Sequence, residues 1–253
     1  EMFRIQERFG DAGAHMVALK TGKVLWKKPS QKAADAGGDK GEGPGRGLAV
    51  DIDPRHPGAE SWVLGAGIEG LWDAKGKEIG TKKPTINLGA GQETFGVSAA
   101  DNPRGRQVAT CNFRVYWDGD GLDELLDRNQ IAKWDWEKQQ SRTLLVAEEC
   151  TSINGTKANP SVSADFLGDW REEVVWPTTD GKELRIYTTT IPTERRIYTL
   201  MHDPVYRLGI AWQNVAYNQP PHVSFNMGDE KQAPPKPNIT LVKPKGVARA
   251  NAR

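Results

Sequence analysis

Three acidic loops, each closing on a glutamate, are the residues whose types and spacing first suggest chemistry. They read DIDPRHPGAE over 51–60, DGDGLDE over 118–124 and DFLGDWREE over 165–173. Aligned on the closing glutamate, the last loop fits D-x-x-x-D-x-x-x-E. The middle loop fits D-x-D-x-x-x-E in the same frame, and the first has one extra residue. Calcium prefers about six to eight oxygen ligands, which alternate residues of a tight loop can supply.

We therefore predict that these loops bind Ca²⁺, chiefly in a structural role. The predicted carboxylate ligands are Asp51, Asp53 and Glu60 in the first loop, Asp118, Asp120 and Glu124 in the second, and Asp165, Asp169 and Glu173 in the third. Glu172 is expected to face away from its neighbour Glu173. A competing interpretation is that Asp and Gly only form solvated turns here. Three loops in the same place before a strand favour the metal.

Other kinds of site lack support in the sequence. The four histidines have no H-x-x-x-H spacing and the two cysteines no C-x-x-C spacing, so a zinc site is not indicated. Neither a G-x-S-x-G motif, nor a P-loop, nor a G-x-G-x-x-G followed by a helix is present. Nucleophilic hydrolysis and nucleotide binding are therefore not predicted.

The elements that must position these loops are β-hairpins containing tryptophan. Four segments share a strand, a glycine-containing turn and a second strand: 15–28, 60–79, 124–146 and 172–190. Their alternation of apolar and polar residues has the period of half-buried strands. An all-β array of this kind predicts about four blades of a calcium-stabilised β-propeller. A helix over 120–134 is the competing interpretation of one segment.

Net charge and hydropathy limit the kinds of partner that the chain is expected to bind. The chain has 253 residues, with 34 Lys and Arg against 33 Asp and Glu, so its net charge of +1 predicts no nucleic-acid binding. It lacks an apolar run of the roughly 18–20 residues that a membrane span needs. We expect a partial propeller over 1–228 and a Pro- and Lys-rich tail over 229–253 with one possible closing strand. The opening EMFRIQERFG is typical of the middle of a longer protein.

Two long polar strings carry a family resemblance. They span 152–176 and 184–228, and with 45–60 and 70–79 they closely resemble rhamnogalacturonan lyases of polysaccharide lyase family 11. The resemblance implies an eight-bladed propeller with several calcium ions and a central cleft, whose N-terminal blades would lie outside this chain. It implies calcium-assisted β-elimination in the rhamnose–galacturonate backbone of rhamnogalacturonan I, which leaves a 4,5-unsaturated galacturonosyl end. An extracellular location follows from a pectin substrate, with an intracellular one left open.

The resemblance also implies the residues of the substrate site. They are Arg46 in G-R-G, Asn154, Gly155, Thr156 and Lys157 in N-G-T-K, and Tyr217 in V-A-Y-N-Q. Arg46 would clamp the uronate carboxylate, because a guanidinium pairs with it in bidentate fashion. Lys157 and Tyr217 would be the base and the leaving-group acid, in an order left open. Asn154 and the backbone of 155–156 would hold sugar hydroxyls.

Two alternatives to a lyase remain open at this point. One is a non-catalytic, calcium-stabilised propeller that binds pectic polysaccharide or a protein partner. The other is a quinone-dependent dehydrogenase propeller, which fits the ALKTGKVLW hairpin but not the C-terminal strings. Endo and exo cleavage are equally open. Outside the site, we expect Asp203, Tyr206 and Arg207 to form a structural network and Trp212 and Gln213 to pack.

Overall fold

The computed structural model describes residues 1–5, 13–31, 43–87, 107–154, 158–213, 215, 220–228, 234–238 and 240. Side chains at 107 and 108 are not described. Four predicted site residues lie outside the described part: Gly155, Thr156, Lys157 and Tyr217. The same holds for most of the predicted tail, so the domain boundary at 228 stays a prediction.

The described chain forms five antiparallel sheets, and each is a meander of strands consecutive in sequence. The strands of sheet 1 are β1 (Met2–Ile5), β2 (Ala14–Val17) and β3 (Val24–Lys28). Sheet 2 has β4 (Arg46–Val50), β5 (Glu60–Leu64), β6 (Leu71–Trp72) and β7 (Glu78–Gly80), and sheet 3 has β8 (Thr85–Asn87) and β9 (Gln107–Ala109). Sheet 4 has β10 (Phe113–Val115), β11 (Glu124–Asp127), β12 (Gln130–Asp135) and β13 (Gln140–Val146). Sheet 5 has β14 (Val162–Ala164), β15 (Glu173–Pro177) and β16 (Leu184–Tyr187).

All four predicted hairpins are confirmed, and so is the all-β class. The third one runs through β11 and β12, so the helix considered over 120–134 is wrong. Its leucines satisfied a helical spacing, but Leu125 and Leu126 are both fully buried because each face of sheet 4 is covered by another layer. A strand buried on both faces loses the alternation that separates strand from helix. In the last hairpin, Gly181 adopts φ +70°, as the Asp-Gly turn signal requires.

The core lies between packed sheets rather than inside any one of them. Ala14 of sheet 1 packs with Val63 and Trp72 of sheet 2. Leu48 and Trp62 of sheet 2 pack with Leu125 and Trp134 of sheet 4. A third cluster, which includes Phe113, Leu126, Val174 and Trp176, joins sheets 4 and 5. Apolar side chains are therefore buried between sheets 1 and 2, between sheets 2 and 4, and between sheets 4 and 5.

Tryptophans act as the anchors between these layers. The indole nitrogens of Trp26, Trp62 and Trp176 donate to the carbonyls of Ala74, Thr110 and Arg128, at 3.0, 2.7 and 2.7 Å. Each of these bonds joins residues 48 positions apart. A buried indole needs an acceptor for its N–H, and here the acceptor comes from the adjacent layer.

After sheet 5 the chain forms a short 3-10 turn, Leu200–His202, and one helix, α1 (Pro204–Ala211). The Asp203 side chain accepts the Val205 amide and caps α1, which has Pro at its first turn. Gln213 bonds both ways to the backbone of Ser163 on β14, at 2.9 and 2.6 Å, which confirms its packing role. The packing expected for Trp212 is wrong, because this residue, at the end of α1, is 55% exposed. Neither helical element described is long and apolar enough to cross a membrane.

Candidate functional site

A cavity of about 930 Å³ opens along the first strands of sheets 1, 2 and 4. Residues of β1 and β4, the start of β10 and the segment 220–227 line it. Its polar lining includes Arg46, Asp51, Asn112, Asp123 and His222. The first strands of three sheets, β1, β4 and β10, contribute residues to this cavity. Residues far apart in sequence therefore meet in one cleft.

Arg46 stands at the start of β4 on the cleft wall. It donates to the Asn112 side-chain oxygen, and the Asn112 amide donates to Asp127 at 2.8 Å. Burial raises the pKa of Asp127 to about 7, while the charges of Arg128 and Arg46 oppose that rise. Arg46 is thus held from behind by an amide and a buried carboxyl group, and it remains half-buried at the cleft.

Asn154 is the other predicted substrate residue within the described chain. It is exposed, and its carbonyl accepts the Ala158 amide at 2.6 Å. Residues 155–157 of the N-G-T-K segment lie outside the described part. The substrate role of Asn154 stays a prediction.

The three acidic loops share one structural frame. In each, the closing glutamate turns a carboxylate oxygen back to accept two consecutive backbone amides, an arrangement called the glutamate clasp below. Glu60 accepts Ile52 and Asp53 at 3.0 and 2.9 Å, Glu124 accepts Trp117 and Asp118 at 2.6 and 3.1 Å, and Glu173 accepts Phe166 and Leu167 at 2.8 and 3.0 Å. The alignment on the glutamate is therefore confirmed, including the extra residue of the first loop. In this frame Asp51 and Asp165 occupy the position held by Tyr116 in the middle loop.

The middle loop brings its three predicted ligands together. Oxygens of Asp118, Asp120 and Glu124 lie within 4.8 Å of one another, and no other such group of three occurs among the described residues. The Lys133 ammonium on β12 lies inside this group, at 3.1, 2.7 and 2.5 Å from the three carboxylates. Burial lowers the pKa of Lys133, but the charges of Glu124 and Asp120 outweigh it and raise the pKa above its usual value. Lys133 is therefore fully charged.

The first loop does not bring its three predicted ligands together. The Arg55 guanidinium donates from two nitrogens to the Asp53 carboxylate, at 2.8 and 2.6 Å. Burial raises the pKa of Glu60 to about 9, and burial together with Asp123 raises that of Asp51 to about 7. Within the described chain, the second oxygen of the fully buried Glu60 has no hydrogen-bond partner. Such an atom is costly unless a cation or a proton satisfies it.

The third loop behaves in a similar way. Arg171 takes Asp169, while one oxygen of Asp165 accepts the Thr199 hydroxyl at 2.6 Å and the Leu200 amide at 2.8 Å. The other oxygen of this buried Asp165 has no hydrogen-bond partner among described residues. Asp165, Asp169 and Glu173 thus do not converge on one point in this structure.

Sequence reasoning missed a buried network under the cleft. Arg114 of β10 is fully buried and donates to Glu172 at 2.6 Å, to the carbonyl of Pro221, and lies 3.5 Å from Asp123. The Tyr206 hydroxyl donates to Glu172 at 2.5 Å. Glu172 therefore faces away from Glu173, as expected, and into an ion pair. The available signal was the pair of adjacent glutamates at a strand start, since successive side chains of a strand point to opposite faces.

This network also explains the structural residues expected after 200. Tyr206 ties α1 to Glu172 and accepts the Asp165 amide at 2.9 Å. Asp203 caps α1 and accepts the Ser224 amide. Arg207 donates to the Met201 carbonyl. The predicted structural role of the three is confirmed, and through it the C-terminal segment forms one side of the cleft.

Comparison with known proteins decides the family. The model of "Rhamnogalacturonan lyase family 11, C-terminal domain" matches residues 1–237. The chain belongs to rhamnogalacturonan lyase family 11. The resemblance inferred from the two polar strings is confirmed.

Relatives from two Bacillus species match nearly the whole chain. Rhamnogalacturonan endolyase YesW of Bacillus subtilis (strain 168) is 48% identical over 240 residues, which cover 94% of this chain and 33% of that protein. Rhamnogalacturonan exolyase YesX of the same organism is 42% identical over 90% of this chain and 34% of its own length. The structure of Bacillus licheniformis rhamnogalacturonan lyase PL11 superposes with a TM-score of 0.77 at 45% identity, over 94% of this chain and 35% of that one. The chain thus spans about a third of the curated relatives it matches.

Proposed function

We propose that the protein carrying this chain is a rhamnogalacturonan lyase. It would cleave the rhamnose–galacturonate backbone of rhamnogalacturonan I by β-elimination and leave a 4,5-unsaturated galacturonosyl end. The observation that carries the proposal is Arg46 on the wall of a 930 Å³ cleft, in a chain 48% identical to a rhamnogalacturonan endolyase. An extracellular location accompanies it, because a polymeric pectin does not enter cells intact.

The chemistry suits the residues of the cleft. β-Elimination removes the C5 proton of a uronate, which is weakly acidic while the neighbouring carboxylate stays charged. Arg46 would bind that carboxylate and stabilise the enolate-like charge that develops on it. The hydrogen bond from Arg46 to Asn112 orients the guanidinium before substrate binds, so Arg46 loses little conformational entropy on binding.

The remaining roles fall on residues outside the described part. Lys157 and Tyr217 would supply the base and the acid on the leaving rhamnose oxygen, in an order that stays open. Asn154, with the backbone of 155 and 156, would hold sugar hydroxyls. We assign these roles from the family motif.

A β-propeller is the architecture proposed for the chain. Three features support it: meander sheets, apolar cores between packed sheets, and the indole bonds that each join residues 48 positions apart. In this proposal the chain supplies the C-terminal blades of an eight-bladed propeller. Further blades in the longer protein would complete the ring and the cleft.

Calcium is the proposed cofactor, and the donors of the first and third loops fit it. The buried partnerless oxygens of Glu60 and Asp165 are hard ligands of the kind that calcium takes. Burial is the main cause of the raised pKa of Glu60 and of Glu173, and the charges of Asp51 and Asp165, respectively, add to it. The carboxylates within each loop are therefore close enough to repel one another. When bound, calcium would pin the loops that hold the first strands at the cleft. Asp53 and Asp169 would bind calcium only if their ion pairs with Arg55 and Arg171 were broken.

The assay uses the intact protein, rhamnogalacturonan I and ultraviolet absorbance of the conjugated double bond. We expect absorbance to rise with time, and Arg46→Ala to reduce kcat/KM at least about 100-fold because it removes the stabilising charge. Arg185→Ala on exposed β16 is the matched control and should leave the rate unchanged. Product without a new double bond would show hydrolysis instead, and binding without product would support the non-catalytic alternative. The size distribution of early products separates endo from exo cleavage.

A further inference from the structure

The middle acidic loop differs from the other two in the charge that it already holds. We infer that the Lys133 ammonium takes the place of calcium there, so that this loop binds no divalent ion. The inference rests in part on the calcium proposed for the other loops.

The geometry of Lys133 matches its ligands one for one. An ammonium has three N–H donors, and three carboxylates surround this one at 2.5–3.1 Å. Glu124 is fully satisfied as a result, with one oxygen on two backbone amides and the other on Lys133. In the other loops a buried carboxylate oxygen, on Glu60 or Asp165, has no partner within the described chain.

Strand register shows why only the middle loop has this cation. Leu125 pairs with Ala132, and one step along the register Lys133 stands opposite Glu124. Ser61 pairs with Trp72, which places Asp73 opposite Glu60.

In sheet 5, Val174 pairs with Tyr187, which places Thr188 opposite Glu173. The residue facing the clasp is thus acidic in one sheet, neutral in another and cationic in the middle one.

The middle loop also differs from the other two at the residue that precedes the two clasped amides. Asp51 and Asp165 begin the first and third loops, whereas the middle loop has Tyr116, whose ring packs in the core. A calcium site in the middle loop would therefore lack one carboxylate and contain a positive charge. Loss of the acid and gain of the lysine occur together, as replacement of the ion requires.

The test counts calcium bound to the intact protein after exhaustive chelation and back-titration, by atomic emission and by calorimetry. Glu124→Gln is expected to leave the number of bound ions unchanged. Lys133→Met keeps the aliphatic stem and removes the charge, and it is expected to gain one bound Ca²⁺ and a calcium-dependent rise in melting temperature. Loss of one ion in Glu124→Gln, or no gained ion in a folded Lys133→Met, overturns the inference.

Matched variants in the other loops keep this test separate from the proposed cofactor. Glu60→Gln and Glu173→Gln are each expected to lose one ion. If both leave the count unchanged, the calcium proposed for those loops is wrong. The Lys133→Met arm still decides the inference, because a site created there would bind calcium whatever the other loops do. If Lys133→Met does not fold, Glu124→Gln alone decides it.

Discussion

The buried ion pair between Arg114 and Glu172 allows a sharp prediction about stability. Both side chains have no exposed area, and Arg114 also lies 3.5 Å from Asp123. Replacing Arg114 with Met keeps much of the apolar stem but removes the guanidinium. Glu172 and Asp123, both buried, then lose the cation that contacts them, and the Pro221 carbonyl loses its donor.

The magnitude follows from desolvation. Removing one partner of a buried pair costs about 3–5 kcal/mol, because the remaining charge stays away from water. Glu172 keeps its bonds from the Tyr206 hydroxyl and the Tyr116 amide, so the lower half of that range applies first. Asp123 adds to it through repulsion. We expect the free energy of unfolding to fall by about 4 kcal/mol, a large part of the roughly 5–15 kcal/mol of a typical domain.

The assay is equilibrium unfolding in urea followed by tryptophan fluorescence, since Trp170 and Trp176 report on the same region. The control is Lys182→Met, which breaks an ion pair with Asp180 whose side chains are 80% and 54% exposed. That change should cost under about 1 kcal/mol.

A second variant tests the cause. Adding Glu172→Gln to Arg114→Met removes the uncompensated charge and should recover part of the loss. If Arg114→Met alone costs less than about 1 kcal/mol, the pair does not carry the charge balance described here. An equal loss in the double variant would point to packing instead.

Three further predictions follow from the cleft and its supports. The pKa of Asp127 rises from 3.8 to about 7 on folding, so the native state keeps a proton that the unfolded state has lost between these values. Stability therefore falls as pH rises through this window, by at most about 1.4 kcal/mol per pH unit, and Asp127→Asn should flatten a urea-midpoint series over it. Gly228→Ala should lower the melting temperature, because the added methyl would overlap the Asp51 carboxylate, and an unchanged value would contradict the close contact. Trp62→Phe should cost about 2 kcal/mol in thermal unfolding, since it loses the 2.7 Å bond to Thr110 and ring volume, and a smaller loss would show that sheets 2 and 4 do not depend on it.

Much of the architecture could be predicted because its signals are local. Glycine turns, period-two alternation and tryptophans mark each hairpin, and they depend on residues a few positions apart. The loops on the glutamate frame were predictable for the same reason. The clasp itself was not, because a carboxylate that caps amides and one that binds calcium have the same residue type and spacing.

The partners of each carboxylate depend on strand pairing and on packing between sheets. Arg114 and Glu172 form an ion pair although they lie 58 positions apart in sequence. The local sequence around Arg114 does not identify it as a counterion. Arg114 is the one polar residue of the strand FRV. The alternation of apolar and polar residues in that strand predicts that Arg114 faces solvent. The third layer that covers this face comes from the C-terminal segment, and single-strand patterns do not contain that information. Sequence reasoning therefore found the acidic loops but not the buried counterion Arg114.

The number of acidic loops in a sequence does not by itself give the number of calcium ions that the protein would bind. The three acidic loops have the same clasp although Arg55 pairs with the first, Lys133 pairs with the second, and an Asp165 oxygen of the third has no partner within the described chain. The number of acidic loops thus sets only an upper limit on the number of ions. In the second and third loops the residue opposite the clasp reaches the second glutamate oxygen, since Lys133 donates to Glu124 and Thr188 donates to Glu173. In the first loop the opposite residue is Asp73, and the second oxygen of Glu60 has no partner within the described chain. Since antiparallel register follows from the hairpin, the residue opposite the clasp can be read from sequence once the hairpin is known.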